Sequence, residues 1–199
     1  ALIKHAFGLP LTLPRDLLAV LLATLPVFAL ALATHMRTSR NLETMTHTAM
    51  TDQMTGLLNR RGFVEKVADL DDGVLLIIDI DHFKHVNDRY GHAAGDAVLR
   101  SMSAHLKVGI RKSDVVGRRG GEEFAIYLRG VDSQFIDQIG ERLCRGFVLY
   151  NEDVPAPIKV TMSVGAAFSA MAGSKSDIYF RADQALYHSK RSGRARLSF

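Results

Sequence analysis

Two adjacent carboxylates, Glu122 and Glu123, follow the pair Gly120 and Gly121 and could carry chemistry. Apolar residues flank these four positions on both sides, which predicts a β-hairpin with an acidic tip. The glycines let the backbone approach a ligand closely, and two adjacent acids held against a phosphate would require divalent cations between the like charges. Considered alone, the four residues are equally compatible with a solvated turn that binds nothing.

A second pair of acids, Asp79 and Asp81, follows the continuous apolar run 74–78. Such a run is typical of a strand buried on both faces. Acids at the carboxyl end of this strand are held rigidly beside an open crevice, so they are well placed for metal ions. For Asp81 the competing interpretation is a helix N-cap, because a helical pattern over 82–89 follows it.

The elements around these acids predict an α+β domain with a mixed sheet. Apolar periodicity predicts helices over 62–70, 82–89, from Gly95 to about 106, 133–149 and 177–190, and a further strand region over 158–168. In the helix over 133–149 we expect a buried stripe that includes Phe135 and Phe147.

Composition and charge limit the classes of protein to which this chain can belong. The 199 residues are 47% hydrophobic and 23% charged, which fits one compact domain with an appendage. The formal charge is +4, but acids are interspersed throughout and no long Lys/Arg run occurs, so we expect no nucleic-acid partner. The single cysteine, Cys144, is expected to be a buried, reduced thiol.

Residues 17–34 carry no charge and, as a helix of roughly 27 Å, would match the hydrocarbon thickness of a bilayer. We expect one transmembrane helix there, within an N-terminal membrane segment 1–36. A buried core helix and a secretory signal peptide are the two alternatives. The polar stretch 37–51 predicts a helical linker that could bring two copies together.

Five separated motifs then occur in a fixed order between Asp52 and Arg194. They read DQMTGLLNRR at 52–61, DIDHFKHVND at 79–88, GHAAGD at 91–96, GGEEF at 120–124 and ADQALYHSKRSGR at 182–194. Together they resemble the GGDEF domain of diguanylate cyclases, and the resemblance covers essentially all of residues 52–199. It implies a fold like the palm of nucleotide polymerases, with a five-stranded central sheet flanked by helices.

The resemblance also implies a reaction, in which two GTP molecules are joined into cyclic di-GMP with release of two pyrophosphates. One domain carries one GTP, so two copies must meet as a homodimer. The implied metal ligands are Asp79, the backbone carbonyl of Ile80, Glu122 and Glu123, holding two Mg²⁺ or Mn²⁺ ions per GTP site. The implied catalytic residues are Glu122, Glu123 and Lys84.

Guanine recognition is assigned by the resemblance to Asn87 and Asp96. An amide and a carboxylate together match the acceptor and the two donors on the pairing edge of guanine. The remaining substrate contacts implied by the resemblance are Phe83, His92, Lys190 and Arg194.

Arg111 and Asp114 match the inhibitory R-x-x-D motif of the family, at its usual spacing before the signature. In the family this site binds cyclic di-GMP and gives product inhibition, and Arg142 is implied as a secondary contact. Arg119 departs from the family, because an aromatic residue is common at its position.

These observations predict a membrane-tethered diguanylate cyclase in the inner membrane of a bacterium, with its catalytic domain in the cytosol. A catalytically silent receptor for GTP or cyclic di-GMP, acting by protein contact, is the alternative from another class. A membrane-anchored interaction module that binds no nucleotide is a third.

Overall fold

The computed structural model describes residues 24–36, 49–70, 72–150, 157–172 and 174–199. The chain divides into two compact units, Ala1–Thr46 and His47–Phe199. In the first unit, residues 24–36 are helical and exposed. The described helices include none that is both long enough and apolar enough to cross a membrane. Residues 17–23 of the predicted span and 37–48 of the predicted linker lie outside the described residues.

The second unit is built on a five-stranded mixed sheet, as the sequence predicts. Its strands and those of a small second sheet are β1 (Gly73–Ile80), β2 (Val115–Gly120), β3 (Glu123–Arg129), β4 (Phe147–Leu149), β5 (Ile158–Val160), β6 (Met162–Phe168) and β7 (Leu197–Ser198). The main sheet has the order β2-β3-β1-β6-β7, and β4 pairs with β5 separately. Only the β6–β7 pair is parallel among the ladders of the described strands.

Among the described residues, five α-helices flank this sheet: α1 (Arg60–Val67), α2 (Phe83–Tyr90), α3 (His92–Val108), α4 (Ser133–Arg145) and α5 (Lys175–Arg191). Side chains alternate along β1, so Leu76 and Ile78 join the core with α3 and α4, while Leu75 and Ile77 face α1 and α5. Helices therefore cover both faces, and β1 is the buried central strand that its apolar run predicts.

The predicted helix over 133–149 is wrong at its C-terminal end. Helix α4 stops at Arg145, and Gly146 adopts φ 65° beside β5, where an added Cβ would overlap the carbonyl oxygen of Val160. Phe147 then begins β4 instead of continuing the helix. The expected buried stripe is also wrong at Phe135, which is 48% exposed.

The other predicted elements are present with small shifts in their ends. Helix α1 begins earlier than predicted because Asn59 caps it, its side chain accepting from the amide of Gly62. The strand region over 158–168 divides at Thr161 into β5 and β6. Cys144 is buried and free, and burial, with the charge of Asp81, raises the pKa of its thiol to about 12, so the thiol is chemically inert at neutral pH.

Candidate active site

Strand pairing brings the acidic hairpin tip to the end of β1. Asp79 lies opposite Glu123 on β3 and opposite Ser163 on β6. The amide of Ile80 donates to the carbonyl of Glu122 at 3.4 Å. The two groups of acids, well separated along the chain, therefore share one edge of the sheet.

The turn that carries Glu122 depends on glycine and on an arginine. Gly121 has φ 52°, a left-handed conformation that glycine adopts without strain, and open space surrounds it. Arg118 donates to the carbonyl of Gly121 from Nε at 3.0 Å and from Nη2 at 2.7 Å. The turn is thus fixed from one side and open to a ligand on the other.

The same guanidinium binds the opening segment of the domain. Arg118 Nη1 lies 3.2 Å from both carboxylate oxygens of Asp52, and the Asp52 carboxylate also accepts from the amide and hydroxyl of Thr55. Burial raises the pKa of Asp52, but the bonds from Thr55 and Arg118 outweigh it, so the net shift is downward. This link between residue 52 and the signature turn was missed at the sequence level, because nothing in the spacing of Asp52 and Arg118 indicates contact.

Asp79 is only 7% exposed and sits among like charges. Burial raises its pKa, and Glu122 and Glu123 raise it further, whereas the ammonium of Lys190, 2.8 Å from Asp79 Oδ2, opposes the shift. Lys190, implied as a phosphate contact, thus lies among the acids. It is close enough to reach a ligand held by them.

Hard carboxylate oxygens with a nearby backbone carbonyl are the donor set that Mg²⁺ and Mn²⁺ favour. Asp79, Glu122 and Glu123 supply three such carboxylates along one sheet edge. In the described ranges no three acidic, histidine or cysteine side chains already converge into a metal site. The donor chemistry of these residues fits divalent cations, and phosphate oxygens of a bound nucleotide would complete the coordination.

Asp81 does not cap a helix, because His82 is the residue that precedes α2 and its φ is 58°. The Asp81 carboxylate instead accepts from the hydroxyls of Thr161 at 2.8 Å and Ser163 at 2.7 Å, and from the amide of Ala195 at 3.0 Å. Both of its oxygens accept hydrogen bonds that hold β6 and the C-terminal segment beside β1. Asp81 therefore positions the site and is not one of its open ligands.

Helices α2 and α3 carry the residues implied for guanine recognition. Asn87 packs so closely on α3 that a Cβ at Gly95 would overlap its Oδ1, and the ring of Phe83 also lies beside Gly95. Phe83 and Asn87 therefore meet α3 at Gly95, and Asp96 is the next residue of that helix. His92, in the first turn of α3, is exposed.

Lys84 and Arg194 are exposed, and no ion pair joins either of them to the acids in the part of the chain described. Arg119 is paired instead, with Asp183 on α5 at 2.9 Å and with Glu123 at 3.8 Å. The departure from the family at Arg119 therefore has a structural use, since it ties the hairpin to α5.

Arg111, Asp114 and Arg142 line one surface cleft of about 460 Å³. Asp114 accepts from the amides of Arg111 at 2.8 Å and Arg129 at 3.2 Å, which closes a tight turn. Arg142 donates to the carbonyl of Gly109. The structure thus brings the three residues of the predicted inhibitory site together, and their role stays a prediction.

Comparison with known families gives the context for this geometry. The family described as "Diguanylate cyclase, GGDEF domain" matches residues 49–196. The chain belongs to the GGDEF domain family. Among curated relatives, diguanylate cyclase DgcP of Pseudomonas aeruginosa is 37% identical over 168 residues, covering 79% of this chain and 25% of DgcP. Diguanylate cyclase DgcM of Escherichia coli is 36% identical over 163 residues, covering 78% of this chain and 39% of DgcM.

Solved GGDEF structures share the fold. The coiled coil and GGDEF domain of DgcB from Caulobacter crescentus, in complex with c-di-GMP, superposes with a TM-score of 0.78 at 28% identity and covers 88% of this chain and 98% of that one. Diguanylate cyclase SiaD from Pseudomonas aeruginosa, in complex with its activator SiaC, gives a TM-score of 0.72 at 30% identity, over 92% and 75% of the two chains. The chain spans about a quarter to two fifths of the length of the two curated cyclases.

Proposed function

We propose that this GGDEF domain is a diguanylate cyclase, which converts two GTP molecules into cyclic di-GMP and two pyrophosphates. The observation that carries the proposal is the pairing of Asp79 with Glu123, which brings the predicted metal-binding acids to one sheet edge. The curated cyclases that match this domain support the same reaction.

In each half of the reaction, the 3′-hydroxyl of one GTP attacks the α-phosphorus of the other, and the bond to pyrophosphate breaks as the new P–O bond forms. GGDEF diguanylate cyclases generally use divalent metal ions, here Mg²⁺ or Mn²⁺, which when bound neutralise the triphosphate and lower the pKa of the hydroxyl. Asp79, the Ile80 carbonyl, Glu122 and Glu123 would hold two such ions.

The other residues of the site bind and orient GTP. Asn87 and Asp96 hydrogen-bond the guanine edge, and Phe83 and His92 lie beside them. Lys190, Lys84 and Arg194 provide positive charge for the phosphates. Glu122 is the implied general base, although a carboxylate that binds a metal has a lowered pKa and is a weaker base for that reason.

Two further features belong to the same proposal. Because one domain has one set of site residues, two copies face each other as a homodimer during turnover. Residues 17–34 tether the protein to the inner membrane of a bacterium, with the domain in the cytosol. Cyclic di-GMP bound at Arg111, Asp114 and Arg142 inhibits the enzyme.

The replacement Glu122→Gln tests the reaction while keeping the size and shape of the side chain. Incubation with GTP and Mg²⁺, followed by chromatography, is expected to yield cyclic di-GMP from the wild type and a loss of at least about a hundredfold in the variant. The matched control is Glu141→Gln, at an exposed position of α4, which is expected to retain full activity.

If the Glu122→Gln variant formed cyclic di-GMP at the wild-type rate, the assignment of Glu122 to a metal site would be wrong. GTP that is bound but not converted by the wild type, both alone and as an enforced dimer, would favour the silent receptor instead.

A further inference from the structure

Two clefts meet at the side chain of Phe135. One, of about 460 Å³, is the cleft of Arg111, Asp114 and Arg142, and the other has a similar volume and lies towards β1 and the end of β6. Arg111, Val131 and Phe135 line both clefts. Phe135 is thus part of a wall that separates two spaces, each larger than a purine base.

The side chain of Phe135 is not needed to fill the core beneath α4. It is 48% exposed in the first full turn of α4, whereas its neighbour Ile136 is fully buried and supplies the apolar contact of this turn to the core. A large aromatic side chain placed half in solvent between two clefts has a surface available for a planar ligand.

The first cleft is suited to phosphates. The side chains of Arg111, Arg142 and Arg145 line it, and the opposing charge there, Asp114, already accepts from two backbone amides. In the described residues, the guanidinium of Arg111 has no hydrogen bond or ion pair to another side chain. Arg111 can therefore contact a phosphate that lies between the clefts.

The second cleft is suited to a guanine base. Phe168 also lines it and stacks on Phe199, with ring centroids 5.8 Å apart. The carboxylate of Asp132, at the start of α4, does not cap that helix, and its oxygen contacts only the side-chain amide of Gln134 at 3.5 Å among the described partners. A carboxylate beside an aromatic wall matches the two adjacent N–H donors of guanine.

We propose that Phe135 is a base-stacking ridge, and that a cyclic dinucleotide lies against it with its phosphates at Arg111 in the first cleft and a guanine in the second. This inference rests on the proposed function, because the ligand is the product cyclic di-GMP. It adds the second cleft, with Asp132 as the residue that selects guanine, to the predicted contacts at Arg111, Asp114 and Arg142.

Titration calorimetry of cyclic di-GMP with the full chain tests the ridge. Stacking of a base on an aromatic ring contributes about tenfold or more to affinity, so Phe135→Ala and Phe135→Leu are both expected to weaken binding about tenfold, and Phe135→Tyr by less than about twofold. Leucine keeps apolar bulk without a ring, so it separates stacking from burial. The control Phe180→Ala removes an exposed aromatic from α5 and is expected to bind like the wild type.

Two further variants test whether the measured binding of cyclic di-GMP occurs at these two clefts. Arg111→Ala is expected to abolish the binding that Phe135→Leu weakens. Asp132→Asn is expected to reduce the preference for cyclic di-GMP over cyclic di-AMP. Because Phe135 and Asp132 are exposed, their variants are expected to fold normally, and an unchanged Tm verifies this.

The outcomes separate the ridge from the function on which it rests. If Arg111→Ala loses binding while Phe135→Leu binds like the wild type, the ridge is wrong and the inhibitory site stands. If the wild type does not bind cyclic di-GMP, both the ridge and the inhibitory site fall. The cyclase reaction itself is decided independently by the Glu122→Gln comparison.

Discussion

Asp79 occupies a position that is unfavourable for an ionised carboxylate. Burial and the charges of Glu122 and Glu123 raise its pKa, and the ion pair with Lys190 compensates only in part. The fold gains nothing from crowding like charges at the end of β1, whereas a divalent cation would be stabilised by them. Ligand binding therefore accounts for the acids better than stability does.

The replacement Asp79→Asn is predicted to abolish cyclase activity and to raise the Tm at neutral pH. A carboxyl whose pKa is raised on folding stabilises the fold below its unfolded-state pKa, near 3.8, and this contribution is lost as pH rises through the raised value. The Tm difference between variant and wild type should therefore widen from about pH 4 to pH 7. Thermal unfolding without metal, over that range, measures it.

The control for this prediction is Asp137→Asn, which removes one exposed carboxylate from α4. It should leave the activity and the pH dependence of Tm as in the wild type. A Tm for Asp79→Asn below that of the wild type at pH 7 would show that the ion pair with Lys190 outweighs the unfavourable burial.

The acids could be picked out as candidates from the sequence, because one pair follows the apolar run 74–78 and the other follows a pair of glycines. Their partners were not predictable. Asp81 contacts Thr161, Ser163 and Ala195, which are 80 to 114 positions away, and these contacts exist only once the sheet order is known. A motif indicates which residues matter, but long-range side-chain pairing depends on the tertiary fold.

At the scale of elements, Arg118 joins the opening segment of the domain to the signature turn. It holds the carbonyl of Gly121, and the same guanidinium holds Asp52. Since Glu122 follows Gly121, the position of this carboxylate depends on the arginine. Small displacements of a catalytic group are costly, because reactivity falls steeply with misplacement.

The replacement Arg118→Ala is therefore predicted to lower kcat for cyclic di-GMP formation by about tenfold to a hundredfold, with a smaller change in KM for GTP. Arg118→Lys should recover little activity, because an ammonium cannot match the forked contacts of the guanidinium. Steady-state kinetics of the three proteins provides the measurement.

Asp52→Asn is the companion variant, since it removes the ion pair and leaves the two bonds to Gly121. It should reduce kcat less than Arg118→Ala. Equal losses in the two variants would mean that the opening segment, and not the turn alone, sets the position of Glu122.

The end of α4 shows where periodicity fails to predict an element. The apolar stripe continues through Phe147, so the pattern extends the helix, but Gly146 permits a left-handed turn into β4. A single glycine within an apolar pattern gives a weak stop signal by itself. The decisive contact is with Val160 on β5, which the local sequence does not indicate.

The replacement Gly146→Ala is predicted to destabilise the domain by roughly 3 kcal/mol, combining backbone strain with overlap on the Val160 carbonyl. Gly130→Ala is a matched control, because Gly130 has a similar φ of 53° but open space around it, and it should cost about 1 kcal/mol. Chemical denaturation of both variants measures the difference. Equal costs would show that β5 moves to accommodate the methyl group.

At the scale of the molecule, the sequence predicted the fold well, because the order of the buried strand, acidic hairpin and flanking helices admits few α+β arrangements. The order of the elements does not show whether one domain or two are needed for the proposed reaction. The described domain presents one acidic sheet edge, and Asn87 and Phe83 lie beside Gly95, the residue before Asp96. Under the proposed function this is one set of residues for one GTP. The proposed product contains two guanosine units, so under this proposal a single domain lacks half of what the reaction requires.

Cyclase activity is therefore predicted to depend on encounter between two domains. For the fragment 49–199 at concentrations below its dimerisation constant, the rate of cyclic di-GMP formation should rise with the square of protein concentration, and fusion to a parallel coiled coil should make it linear. The control is the same fragment carrying Glu122→Gln, added at a concentration above the dimerisation constant. It should suppress wild-type activity, because it occupies the partner position without completing the site. A rate linear in concentration for the unfused fragment, without a stable dimer in sedimentation, would show that one domain suffices.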